Sequence, residues 1–174
     1  SFGTVIMADF QTHGKGQRSS IWKSEKGLNL LISIYFDSSF LNSENIFFLS
    51  KAVALAIRVC IEKIIGIKVS IKWPNDILIN GSKIAGVLIE NQWKNEKLSS
   101  SIIGIGINVN QVVFSEENVV SLKNLTSRFY NLNSILKSLC SSLNSQFTRL
   151  RNFEFLEIDR QYHSFLFNYN QWYN

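Results

Sequence analysis

The sequence predicts an α+β fold, a mostly antiparallel β-sheet flanked by helices. Three observations lead there. Strand-like segments rich in isoleucine, leucine and valine fill much of residues 1–110. Asn80-Gly81 sits between two apolar runs, the short-range signature of a two-residue hairpin turn whose central residues need positive φ. Beyond residue 133, apolar residues recur at helical spacing instead. One helix inserted among strands, with further helices gathered at the end, is an α+β order of elements.

The elements follow in order. Gly3 to Asp9 reads as a strand, β-branched and imperfectly alternating. Phe10 to Gly27 is a polar loop holding Gln11, Gly14, Lys15, Gly16, Gln17, Arg18 and Trp22. Loops of that length in a compact domain are uncommon and often functional. Leu28 to Phe36 is the second strand. Ser43 is placed as the N-cap of a helix with Glu44 in its first turn, running through Lys51, Ala54 and Arg58 to about Ile64 and stopped by Gly66. Lys68 to Lys72 is a short strand. The Asn80-Gly81 hairpin comes next, its second arm reaching about Gln92. Asn95-Glu96-Lys97 then turns the chain into a strand from Ser99 to Val109. Asn133 or Ser134 caps a helix carrying Ile135, Leu136, Leu139, Leu143 and Phe147. A second helix, from about Glu154, carries Phe155, Leu156, Ile158, Tyr162, Phe165 and Leu166.

With 174 residues, 45% of them hydrophobic, the chain suffices for one domain with a real core. Its net charge of +5 favours anionic partners, but no block of five like charges marks a nucleic-acid tail, and no nucleic-acid partner is expected. Cys60 and Cys140 have no His or Cys at ligand spacing and read as buried thiols of a reducing compartment. No apolar run reaches membrane-spanning length and no leader opens the chain, so a cytoplasmic protein with no membrane partner is expected. The absence of an initiator Met and an aromatic end, Phe165 to Asn174, suggest a piece of a longer polypeptide. His13 and His163 lie far apart and form no nucleophile–base grouping. No metal-ligand spacing occurs, so any metal would arrive with a nucleotide.

Three segments could carry chemistry. Around the Asn80-Gly81 turn, Ile79 should pair with Ser82, Leu78 with Lys83, Ile77 with Ile84 and Asp76 with Ala85. Asp76, Leu78, Lys83 and Ala85 then share one face, and Ile77, Ile79 and Ile84 the other. The carboxylate and ammonium form either a surface ion pair of little worth or a reactive site; the preceding Trp73-Pro74-Asn75 speaks for the second. Gly14-Lys15-Gly16-Gln17-Arg18 joins glycines to cations, as an anion-cradling nest or as a plain surface loop. It matches neither a P-loop nor a dinucleotide-binding glycine pattern. In Ile102 to Asn110, Ile103, Ile105, Ile107 and Val109 face a core, while Gly104, Gly106, Asn108 and Asn110 face the other way. Strand glycines mark close approach, by a helix or by a ligand, and the asparagines on the same face point to a ligand.

Taken together, Ala8 to Arg18 with Trp22, Gly27 to Leu30, Lys72 to Glu90 and Gly104 to Asn110 resemble the biotin–protein ligases in order and spacing. The resemblance spans roughly residues 3–110, and the helical remainder fits. It implies a class II synthetase-like biotin/lipoate ligase catalytic domain over residues 1–174, without the family's upstream Ser-Thr-Asn segment and its small C-terminal β domain. The implied reaction joins biotin to ATP with Mg2+, giving biotinyl-5′-adenylate, and passes biotin to a lysine of the carboxyl-carrier domain of a biotin-dependent carboxylase; a homodimer stays open. Matching positions imply that Lys83 and Arg18 are catalytic. They place Gln11, Gly14, Lys15, Gly16, Gly86, Gly104 and Gly106, with Lys83, around biotin. Trp22 would stack on adenine, and Asn75, Asp76 and Asn108 would serve the nucleotide and magnesium side; no residue is assigned as a metal ligand. The family loop commonly reads Gly-Arg-Gly-Arg with a further Arg before the Trp. Here Lys15, Gln17 and Ser20 stand at those three places, with Arg18 one position over. A lipoate–protein ligase, a degenerate ligase-like binding protein and a basic nucleic-acid-binding module are the alternatives.

Overall fold

The structure, a computed structural model, describes residues 1–17 and 20–168. Ten elements follow one another: β1 (Val5–Ala8), β2 (Leu30–Asp37), α1 (Phe47–Ile65), β3 (Ser70–Lys72), β4 (Asp76–Ile79), β5 (Ser82–Lys94), β6 (Lys97–Ile107), α2 (Leu122–Thr126), α3 (Leu132–Arg151) and α4 (Phe155–Ser164). The six strands form one antiparallel sheet in the order β1-β2-β6-β5-β4-β3. Strand alternation decides what each face holds. Leu30, Ile32, Ile34 and Phe36 of β2, with Ile103, Ile105 and Ile107 of β6, turn to the core. There they meet α1, whose Ala52, Val53, Ala56, Ile57, Cys60 and Ile61 are fully buried. Leu139, Leu143 and Leu150 of α3 and Ile158 and Tyr162 of α4 complete that layer. The helices thus cover one face and leave the other free for a site.

Side-chain hydrogen bonds in the preceding turn or at the cap move the helix starts. Asn42 and Asn45 bond one another's backbone amides, and Asn42 also takes the Glu44 amide, so Ser43 and Glu44 sit in a turn and α1 begins at Phe47. Gly66 closes α1 at φ +68, as its position predicts. Asn131, two residues ahead of the expected cap, accepts the Ser134 amide and starts α3. The short α2, unread in the sequence, is set by a capping box between Ser121 and Asn124. Asn95 and Glu96 take φ +50 and +61, giving a second two-residue hairpin and carrying β5 to Lys94. The outer edge of β3 is closed by the segment after α4, where Ile71 donates to the Phe165 carbonyl and accepts from Phe167. Of the aromatic end, Tyr169 to Asn174 lie outside the described residues.

Cys60 and Cys140 are free thiols, and burial raises the pKa of both, which makes them poor nucleophiles. Among the described residues no helix is long and apolar enough to cross a membrane. Ile57, with no exposed surface, ends the continuous buried run 52–57 of α1. Ile57→Ala is expected to cost about 2–5 kcal/mol of unfolding free energy, measurable by denaturant titration.

Candidate functional site

The β4–β5 hairpin starts as expected, with Ile79 opposite Ser82 and Leu78 opposite Lys83. A β-bulge then inserts Ile84, so Ile77 meets Ala85 and Asp76 meets Gly86. This corrects two of the predicted pairs. Ala85 turns into the core beside Ile77, and Gly86 takes the place on the open face next to Asp76. The bulge is held from outside the hairpin. The Asn108 amide donates to the Ile84 carbonyl, and Lys83 exchanges backbone bonds with Asn118 and Val120.

Asp76 and Lys83 still share the open face, with Asp76 Oδ1 2.7 Å from Lys83 Nζ. The contact is an ion pair without a well-directed hydrogen bond, since Oδ1 is buried and accepts none. Asn75 fixes the turn before Asp76, donating from its side chain to the Val87 carbonyl and accepting the Val87 amide on its own. Beside this pair, the register of β2, β6 and β5 lays Leu31 opposite Gly106, Ser33 opposite Gly104, Gly86 opposite Gly106 and Leu88 opposite Gly104. Three glycines therefore form a floor between Leu31, Ser33 and Leu88.

The described residues of the loop between β1 and β2, 10–17 and 20–26, close over this floor. Gly27 N–H bonds the Asp9 carbonyl at its base, and within it Trp22 N–H reaches Gly14 and Gly16 N–H reaches Ser20. A Cβ at Gly14 would collide with the Trp22 carbonyl, so this crossing requires glycine. The Trp22 ring packs on the sheet. A Cβ on Gly106 would lie 2.6 Å from its six-membered ring, and one on Gly86 3.0 Å away. Lys83 Nζ lies 5.4 Å from the Trp22 ring centre, within cation–π range. The indole N–H is buried without a partner.

The cavity beneath the loop, open on one side, measures about 400 Å³. Of the residues singled out in the sequence, Gln11, Lys15, Gly16, Trp22, Asn75, Asp76, Lys83, Gly86, Gly104 and Gly106 line it. Gly14 supports the covering loop from behind. Arg18 lies outside the described residues. Asn108 corrects the strand-alternation reading. β6 ends at Ile107, and Asn108 is buried with its side chain on the Val120 carbonyl, away from the cavity walls. Asn110 is likewise consumed by the backbone of Tyr130. At Gly86 and Gly106 the group resting on the backbone is Trp22, while at Gly104 the nearest atom to an added Cβ is the Leu88 carbonyl oxygen at 3.4 Å. Leu31, Ser33, Leu88, Glu90 and Ile102, given no role in the sequence reading, also line it. Among the described residues no group of three or more His, Cys, Asp or Glu could hold a metal ion.

The profile of the Biotin/lipoate A/B protein ligase family matches residues 2–108. The chain belongs to this family. A member from Bacillus subtilis, Bifunctional ligase/repressor BirA, is 43% identical over 109 residues, 63% of this chain and 33% of that protein. Biotin--protein ligase 2 of Arabidopsis thaliana is 30% identical over 145 residues, 82% of this chain and 40% of its own length. Among solved structures, the biotin protein ligase from Aquifex aeolicus in complex with biotin and ATP superposes with a TM-score of 0.83 at 29% identity, covering 95% of this chain and 69% of that one. The sheet and helices are thus the family's fold. The chain spans about a third of the length of the first curated relatives it matches.

Proposed function

We propose that this chain is the catalytic domain of an ATP-dependent biotin–protein ligase. One observation carries the reading: an ammonium–carboxylate pair, Lys83 and Asp76, heads a glycine-floored cavity that a Gly-Lys-Gly loop covers. It is supported by relatives named as biotin ligases and by likeness to a ligase solved with biotin and ATP. In the first step a biotin carboxylate oxygen attacks the α-phosphorus of ATP, and the bond from that phosphorus to the leaving pyrophosphate breaks. In the second, the neutral amine of an acceptor lysine on a biotin carboxyl-carrier domain attacks the acyl carbon. The bond to AMP breaks and the amine proton passes to water.

Lys83 is assigned to the acyl oxygens in both steps, where a fixed cation stabilises developing charge. Gln11 and the Lys15 and Gly16 backbone are assigned to biotin over Gly104, with Leu31 and Leu88 as apolar walls. Asn75 and Asp76 are assigned to the nucleotide side. Magnesium would enter on the nucleotide phosphates, since the buried Asp76 oxygen is already paired with Lys83. Arg18 is assigned to the phosphates from its place in the motif. The decisive experiment is adenylate formation with biotin and, separately, lipoate; activation of lipoate and not biotin would move the chain to the other branch of its family. Trp22→Ala is expected to weaken ATP binding about ten- to a hundredfold, the range of base–aromatic stacking. Calorimetric titration checks it, and an unchanged affinity removes adenine stacking from the mechanism.

A further inference from the structure

We propose that Gln111 is a positioning residue that holds the covering loop closed for substrate; the proposal rests on the ligase reading. Gln111 lies outside the cavity and is 6% exposed. Its Oε1 accepts from the Glu25 backbone N–H at 2.9 Å and from Asn29 Nδ2 at 2.6 Å, and its Nε2 donates to the Val113 carbonyl at 2.8 Å. Asn29, fully buried, accepts the Val109 N–H on its Oδ1. One side chain therefore joins the stem of the covering loop, the start of β2 and the segment leaving β6, whose glycines floor the cavity. Among the described residues, Lys23 also links loop and segment, through Glu116 at 3.1 Å and Ser115 at 3.4 Å, but it is exposed, where such pairs contribute little.

Removing the Gln111 oxygen leaves the buried Asn29 amide and the part-buried Glu25 N–H unpaired, which costs more than the bonds are worth while made. The loop can escape that cost by opening. A binding site competent only when closed then loses apparent affinity in proportion to the closed fraction. Once substrate is bound and the loop shut, Lys83 and the reacting atoms are unaffected. The signature is a raised KM with kcat retained.

The test compares Gln111→Leu, which keeps the bulk, with Gln111→Glu, which keeps both acceptor contacts. Two measurements are made on the whole chain: limited trypsinolysis without substrate, and pyrophosphate release with biotin and ATP. Expected for Gln111→Leu are cleavage at Lys15, Lys23 and Lys26 at least about tenfold faster than native, with slow cleavage elsewhere, and a KM for biotin raised about tenfold with kcat within threefold. Gln111→Glu keeps both acceptor contacts but sets an oxygen against the Val113 carbonyl, so it should fall between native and Gln111→Leu in both. Native cleavage rates in Gln111→Leu, or equal defects in both variants, overturn the proposal. Should Gln111→Leu not fold, amide exchange of the unaltered protein decides: slow exchange at Glu25 supports the role, and exchange at the rate of a free peptide overturns it. The trypsin and exchange arms need no substrate. Absence of any biotin adenylation in the unaltered chain therefore defeats the ligase reading alone.

Discussion

Lys83→Ala is expected to slow biotinyl-adenylate formation by about a hundred- to a thousandfold, the effect of deleting one fixed charge-stabilising group from an acyl-transfer site. The fold should survive. The Lys83 side chain is 32% and Asp76 24% exposed, so their pair lies close enough to water to add little to stability. The aliphatic stem matters separately, since Lys83 Cε lies 3.2 Å from where a Gly86 Cβ would stand. Lys83→Met keeps that packing and removes the charge. Both variants should lose activity alike while melting within a few degrees of the parent. Unchanged turnover in either would end the role proposed for Lys83, and recovery in the Met variant alone would assign the effect to packing.

Gly106→Ala should reduce kcat/KM for biotin by roughly a hundredfold, through the loop as much as through the floor. The new methyl would stand 2.6 Å from two Trp22 ring carbons, a separation that neither group tolerates. Trp22 must swing away, and the covering loop loses the anchor that its indole makes on the sheet. Gly104→Ala is the matched control, because its methyl would meet only Leu88, the carbonyl oxygen at 3.4 Å and Cβ at 3.9 Å, both ordinary contacts. It should narrow the cavity without releasing the loop. Trypsin sensitivity at Lys23 and Lys26 should rise in Gly106→Ala and stay native in Gly104→Ala. Equal sensitivity in the two would mean that Trp22 does not anchor the loop.

Why Asp76 and Lys83 were legible in the sequence, and Gly86 was legible only through family resemblance, comes down to the range of the forces involved. The two-residue turn fixes Leu78 opposite Lys83, and strand alternation carries Asp76 to the same face as Leu78. The bulge at Ile84 is imposed by Asn108 and by residues 118–120, partners far along the chain, so the local pattern put Ala85 where Gly86 stands. Alternation also misplaced Asn108 and Asn110, because it was continued past the end of β6. Leu31, Ser33 and Leu88 become cavity walls only through the pairing of β2 and β5 with β6, which no short-range signal encodes. Gln111 carried no signal at all, as an isolated glutamine after a strand reads as surface.

The strands of the floor differ in how soon the chain can assemble them. β4, β5 and β6 are successive and joined by two-residue turns, a meander whose loops close quickly. β2 must arrive across the whole of α1 and β3 to pair with β6, a contact of high sequence separation that forms slowly. Lys83, Gly86, Gly104 and Gly106 can therefore come together early in folding, while Leu31 and Ser33 complete the cavity only at the end. A ligand that needs those walls binds the finished domain alone, and occupancy would then slow global unfolding rather than speed the first hairpins.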